Sequence, residues 1–367
     1  MNLKPFLLER YFAEYEFSTR YLLSSSDCDG LPLQQLLAMA NEDELKLWNN
    51  LTLGYTESSG HPLLRDKIAG QYQTISADEV SVMSPGEVSF IFMNVVLKKE
   101  DHVICIAPAY QSLYEVVRGI GCEISYWKPS SDSPWQYDVD DLGKLFKSNT
   151  KLVIINFPHN PTGFISTRAE FDKIVDLARK HNAYIFSDEM YRLLVRKSEY
   201  NLPAMCDVYE RGLSLWGMAK SFGLAGLRIG WAATHDKELL SAMASYKDYL
   251  SICNSATSEI LAVIGLRNAD ALARRNNETI ASNTNLFQEF CNDMQLFSFL
   301  PPKSGSTAFV QLKKSETALE FSESLLRKAG IMTLPSEKFE YGDRHIRIGL
   351  GRKNLLEVLD ALKLHIQ

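Results

Sequence analysis

The sequence predicts an α/β protein: a mostly parallel sheet covered by helices, followed by a smaller α+β part. Three observations predict it. From about residue 60 to 235, apolar runs of strand length alternate with amphipathic helical patterns; the strand runs are short and mostly apolar; and after about residue 236 the text changes to long helical patterns with a few short strands. Parallel strands need crossovers, and helices laid on both faces leave the strands buried and continuously apolar.

The elements follow in order. "GHPLLRDKIAGQY" places Pro62 near a helix start and spaces Leu63, Leu64, Lys67 and Ile68 as a helix would. Then come "EVSVM", a helical "EVSFIFMNVVL", "HVICIA", a helical "YQSLYEVVRGI", "CEISYW", a helix around "DVDDLGKLF", "KLVIINF", a helical "TRAEFDKIVDLARKH", "AYIFSD", "GLSLWG" and "LRIGWAA". Helical patterns then cover "KELLSAMASYKDYL" and residues 255–294, before "TAFVQL", a helix near "ALEFSESLLRKAG", a strand "HIRIGL" and a last helix "KNLLEVLDALKLH". No repeat or low-complexity linker separates the two parts, so they are expected to share a broad interface.

The 367 residues, 46% hydrophobic and 23% charged, suit one large or two medium domains. A net charge of -6 offers no general attraction to nucleic acid or anionic membrane, so small molecules and proteins are the expected partners. Six cysteines (Cys28, Cys105, Cys122, Cys206, Cys253, Cys291) stand singly, without the paired spacing of zinc or redox sites; buried thiols and no metal are expected. The first residues break their apolar positions with charges every few places, and no later run is apolar for 18 residues, so a soluble, cytoplasmic protein is expected.

The stretch "GMAKSFGLAGLRIG", 217 to 230, holds one lysine and one arginine among small and apolar residues. Lys220 follows the strand "LSLWG" with room to reach a ligand. Partly desolvated, it would favour the neutral amine that attacks an aldehyde to form a Schiff base; a surface lysine in a loop is the bland alternative.

"NFPHNPTG" (156 to 163), "SDEMY" (187 to 191) and "AKSFGLAGLRIGW" (219 to 231) occur in that order, each after an expected strand. In this the chain resembles pyridoxal-phosphate enzymes of fold type I, the class I/II aminotransferase branch of the aspartate aminotransferase superfamily, from "LGYTESSGHPLLRDKIA" to "HIRIGLGRKNLLEVLDAL". The resemblance implies the transferase fold of that type, with residues 46–250 as a large cofactor-binding domain, 251–367 as a small one, and 1–45 joining the small one. It implies pyridoxal 5'-phosphate as cofactor, an amino acid and a 2-oxo acid as substrates, and a homodimer with a shared active site.

The resemblance also implies roles. Lys220 is the Schiff-base lysine and proton carrier. Asp188 keeps the cofactor's ring nitrogen protonated, although an aspartate after a strand also reads as a helix cap. Asn160 and Tyr191 would hydrogen-bond the phenolic oxygen, with Asn160 also near the substrate; locally, Asn160 reads as a turn residue. Tyr110, in "APAYQSLY", would stack on the ring, or else face the core. Arg228 would hold the phosphate, with Ser84, Gly86 and Glu87 of "SPGEV" at a helix start and Tyr55 from the neighbouring subunit. Arg347, in "HIRIGLGR", would fork the substrate's α-carboxylate, and Arg352 is expected off the site.

The pattern is broken in places. Relatives often carry hydroxyl residues where this chain has Gly217 and Ala219, and Pro85 removes one donor from the phosphate loop, which implies weaker cofactor retention. Beside amino transfer stand two other outcomes. One is a lyase or cyclase, since the N-terminal segment resembles a branch near capreomycidine synthase. The other is a non-catalytic domain used for binding, for which the chain leaves no room for a DNA-binding extension. Glu14, Glu16 and Asp27 could face a basic substrate or simply solvent.

Overall fold

The computed structural model describes residues 2–130 and 135–366. The chain opens with α1 (Leu7–Tyr15), β1 (Tyr21–Leu22), α2 (Leu33–Leu37), α3 (Glu42–Asn49) and α4 (Pro62–Ala69). The sheet region contains β2 (Val80–Met83), α5 (Pro85–Val96), β3 (His102–Ile106), α6 (Ser112–Ile120), β4 (Glu123–Trp127), α7 (Val139–Leu145), β5 (Thr150–Asn156), α8 (Arg168–Lys180), β6 (Tyr184–Asp188), α9 (Met205–Val208), β7 (Gly212–Gly217) and β8 (Gly230–Ala233). Then follow α10 (Lys237–Lys247), α11 (Ala256–Arg267), α12 (Ala269–Met294), β9 (Phe297–Ser298), β10 (Thr307–Leu312), α13 (Ala318–Ala329), β11 (Ile331–Met332), β12 (Leu334–Pro335), β13 (His345–Gly349) and α14 (Leu355–Ile366).

The sheet has seven strands in the order β2-β8-β7-β6-β5-β3-β4. The run β7-β6-β5-β3-β4 is parallel, while β8 runs antiparallel to both its neighbours. The fold is thus α/β with a mostly parallel central sheet, as the alternation in the text requires. Every residue of β2, β3, β7 and β8 is buried. Trp216 and Trp231 face each other across β7 and β8, fully buried, with ring centroids 5.4 Å apart. Such a pair anchors the core by area and by edge-to-face geometry.

Helix starts match their sequence signals. Pro62 takes the first position of α4, and Thr167 with Glu170 and Thr317 with Glu320 form capping boxes at α8 and α13. The helical pattern expected over 255–294 is two helices. Asn268 divides them: its side chain donates to the Ile264 carbonyl at 2.8 Å, and its backbone departs from helical dihedrals.

A second sheet, β12-β13-β10-β9, is antiparallel, and β1 pairs with β11 in parallel, so the N-terminal segment is tied to the C-terminal strands. We propose that residues 46–250 and 251–367 form a larger and a smaller part, with 1–45 joining the smaller. α11 nonetheless packs into the core of the larger one beside Leu64, Val80 and Trp231. All six cysteines are free, and five are buried. Among the described residues no helix is long and apolar enough to cross a membrane, and no group of side chains could hold a metal ion.

Candidate active site

Open α/β sheets place ligands beyond the carboxyl ends of their strands. Here β5, β6 and β7 end side by side at Asn156, Asp188 and Gly217, and register sets Asn156 opposite Asp188 and Asp188 opposite Leu215. Three or four residues beyond those ends stand Asn160, Tyr191 and Lys220. All three line one cavity of about 430 Å³ together with Asp188, Tyr110, Gly86, Arg228 and Arg347. Eight of the residues singled out from sequence therefore meet, although the chain separates them by up to 261 positions (347 − 86).

Asp188 is buried, and its Oδ1 accepts a bond from the Met190 N–H at 3.1 Å. Burial pushes its carboxyl up to about 7; neighbouring Glu189 adds to this, while the Met190 bond and Lys220 oppose it. A carboxylate in this position lacks a cationic hydrogen-bond donor. The mirror case is Arg347, only 2% exposed. Its guanidinium donates to the Ser24 carbonyl at 2.8 and 3.2 Å and to Asn160 Oδ1 at 3.2 Å, and among the described residues no carboxylate pairs with it. A buried guanidinium without an ion-pair partner is a ready anion site.

Lys220 Nζ donates to Ser26 Oγ at 2.9 Å. The Asn160 N–H is held by Asn156 Oδ1 at 2.8 Å, which fixes the loop after β5. Tyr110 is half-buried, donates to Glu9 at 2.5 Å, and has its hydroxyl pKa raised by burial first and by Glu9 second. Arg228 adopts φ 56 at the end of a short turn and is exposed toward the cavity.

Three predicted residues do not line the cavity. Ser84 and Glu87 cap each other at the start of α5, with the Ser84 N–H donating to Glu87 at 3.0 Å. The phosphate-loop side of the cavity is instead Pro85 and Gly86, of which Gly86 keeps a free N–H at the helix N-terminus. Tyr55 is 90% exposed, and Leu53, Tyr249 and Ile252 are exposed too. Arg352 lies off the cavity and pairs with Asp27 at 2.8 Å.

Sequence reasoning missed the cover of the site. Glu9 and Phe12 of α1, with Ser25, Ser26, Ser89 and Ser112, also line the cavity; Glu16 and Asp27, read from sequence as facing either a basic substrate or solvent, do so too, whereas Glu14 does not. At Gly217 a hydroxyl residue would meet close backbone. A Cβ on Gly217 would come within 2.9 Å of Gly230 Cα and of the Ile229 carbonyl oxygen, with Pro85 3.4 Å away.

Fold and site together define an enzyme of the pyridoxal-phosphate type. The profile of class I and II aminotransferases matches residues 20–362, and the chain belongs to that family. It is 29% identical to capreomycidine synthase of Streptomyces vinaceus over 252 residues, 68% of this chain and 64% of that one, so the chain spans just under two thirds of that relative's length. It is 27% identical to histidinol-phosphate aminotransferase of Methanococcus aeolicus over 311 residues, 82% of this chain and 80% of that one. Among solved structures, a PLP-dependent aminotransferase from Streptococcus suis superposes with a TM-score of 0.93 at 27% identity, covering 99% of this chain and 98% of that one. The PLP-dependent cyclase OrfR shares the fold with a TM-score of 0.91 at 23% identity, covering 100% of this chain and 97% of that one.

The family's cofactor is pyridoxal 5'-phosphate, and the residues present fit it. The buried acid Asp188 suits a ring N–H, Lys220 an aldehyde, Asn160 and Tyr191 a phenolic oxygen, Tyr110 a flat ring, and Arg228 with the Gly86 N–H a phosphate.

Proposed function

We propose that the protein moves an amino group between an α-amino acid and a 2-oxo acid, with Lys220, Asp188 and Arg347 as its central residues. The observation that carries this reading is the lining of a single cavity by a lysine, a buried acid and a buried arginine that makes no ion pair among the described residues. When bound, pyridoxal phosphate supplies an aldehyde and an electron-withdrawing ring. Arg347 forks the substrate α-carboxylate and so turns the α-hydrogen toward Lys220. Lys220, seated by Ser26, would take that proton from the α-carbon as general base and deliver it as general acid to the carbon that the cofactor's aldehyde supplies. Asp188 would keep a proton on the cofactor's ring nitrogen, Tyr110 would pack against its ring, and Arg228 with the Gly86 N–H would hold its phosphate.

The exposed Leu53, Tyr55, Tyr249 and Ile252 support a homodimer in which Tyr55 completes the neighbour's phosphate site. Sedimentation giving a monomer would remove that part of the reading.

A second outcome, elimination or cyclisation of an amino acid in the same cavity, is favoured by the likeness to capreomycidine synthase. One experiment separates the two. The holoenzyme absorbs near roughly 400–430 nm; under amino transfer the band is lost with amino acids and restored by 2-oxoglutarate, one oxo acid being consumed per turnover. Repeated turnover without any oxo acid is elimination or cyclisation.

A further inference from the structure

We propose that the amino donor carries a cationic side chain, an ammonium or guanidinium a few carbons beyond the α-carbon, received by Glu16 and Glu9. This rests on reading Arg347 as the α-carboxylate site.

Phe12 supplies the geometry. Its ring lies 5.8 Å from the Arg347 guanidinium carbon. Glu9 precedes it by three residues and Glu16 follows it by four, and Glu16 keeps helical dihedrals at the end of α1. Residues so spaced share a helix face, with Cβ atoms about 5–6 Å apart. Both carboxylates line the cavity, one turn either side of the residue that flanks Arg347.

A charge census of the cavity points the same way. Its cations are Lys220, Arg228 and Arg347, each with a task in the proposed chemistry. Of its acids, Asp188 serves the ring, and Asp27 is engaged by Arg352 at 2.8 and 3.1 Å. Among the described residues Glu9 accepts from the Tyr110 hydroxyl alone, a neutral donor, and acts on Arg347 at longer range without an ion pair. The Glu16 side chain has neither hydrogen bond nor ion pair among the described residues; burial, then Asp27 and Glu9, raise its pKa against a smaller opposing effect of Arg352 and Lys220. Negative charge is thus left over where a side chain of moderate length would end, and a cation there would offset it. The buried Ser25 hydroxyl, also at the cavity and without a partner, supplies a further polar contact. A dicarboxylic donor would set its distal carboxylate against these acids, so the same arrangement rejects it.

The test uses the pyridoxal-phosphate holoenzyme. It is titrated with L-ornithine, L-lysine, L-arginine, L-norvaline and L-glutamate while the absorbance near roughly 400–430 nm is followed. At least one cationic amino acid is expected to half-saturate at about one tenth the concentration of norvaline or lower, with glutamate the poorest. In Glu16→Gln, and separately in Glu9→Gln, that ratio is expected to fall several-fold toward unity. Norvaline or glutamate binding as tightly as every cationic amino acid overturns the inference while leaving amino transfer intact, and needs no variant. A cationic preference that survives both substitutions also overturns it. A holoenzyme whose band responds to no amino acid overturns the reading of the site itself.

Discussion

The Arg347 guanidinium meets the Asn160 carboxamide at 3.2 Å, and 187 residues separate them in sequence. Arg347 comes from the antiparallel sheet and Asn160 from the loop after β5 of the parallel one, so this contact joins the two sheets at the cavity. One carboxamide thereby touches both the proposed carboxylate fork and the proposed cofactor site.

Arg347→Lys tests the fork. An ammonium keeps the charge but cannot present two parallel donors, nor reach both the Ser24 carbonyl and Asn160. The expected result is a fall in kcat/KM of about 10²-fold or more for the amino acid, mostly as a higher KM, with the cofactor band unchanged. Steady-state kinetics and a spectrum of the same sample check it.

Removing the amine of Lys220 removes both attachment and proton transfer. In Lys220→Ala turnover is expected to fall by at least about 10³-fold. Borohydride treatment of the holoenzyme should add the cofactor's mass to the peptide containing Lys220 and should add nothing to the variant. Turnover sustained in the variant would refute the assignment.

Asp188 makes the protein without cofactor sensitive to pH. Its carboxyl stands at about 7 in the fold against an ordinary value of 3.8, so the folded state binds this proton more tightly than the unfolded one. The resulting stability is fully present below pH 4 and is lost as pH rises through about 7, by no more than about 4 kcal/mol. Thermal melts from pH 4 to 8 should show this loss in the cofactor-free protein, and Asp188→Asn should flatten it. Pyridoxal phosphate should restore the wild type at neutral pH, because a ring N–H partners the ionised carboxylate. The same substitution is expected to cost activity about 10²-fold or more.

How much of this was legible depended on what restricted each residue type. Asp188 ends β6, Asn160 and Lys220 stand shortly after β5 and β7, and Arg228 stands just before β8; at such strand ends the chemistry tolerates few substitutes, and so the text displays them. Ser84 and Glu87 carried the same kind of signal, yet a capping box accounts for both, because a helix start needs its N–H groups satisfied whether or not it binds an anion. Glu9, Phe12 and Ser26 were invisible. Ser26 reaches Lys220 across 194 positions, and nothing in an amphipathic N-terminal helix states which of its faces closes a cavity formed elsewhere. The break at Asn268 was hidden for the opposite reason: apolar spacing continues through it, and only the capping side chain marks the end of one helix.

Gly217 gives the last prediction. Relatives that carry a hydroxyl at this position would suggest that Gly217→Ser repairs the phosphate site. The close backbone of β8 argues otherwise, since the new Cβ would lie 2.9 Å from Gly230 Cα and from the Ile229 carbonyl oxygen, neither of which can rotate away. Forcing that contact is expected to destabilise the protein by about 1–3 kcal/mol and to lower Tm by roughly 2–10 °C. Cofactor affinity should fail to improve, as the strand must shift to admit the side chain. A variant that melts no lower than the wild type and binds pyridoxal phosphate more tightly would show that β7 and β8 can separate, and that the glycine is not a steric requirement.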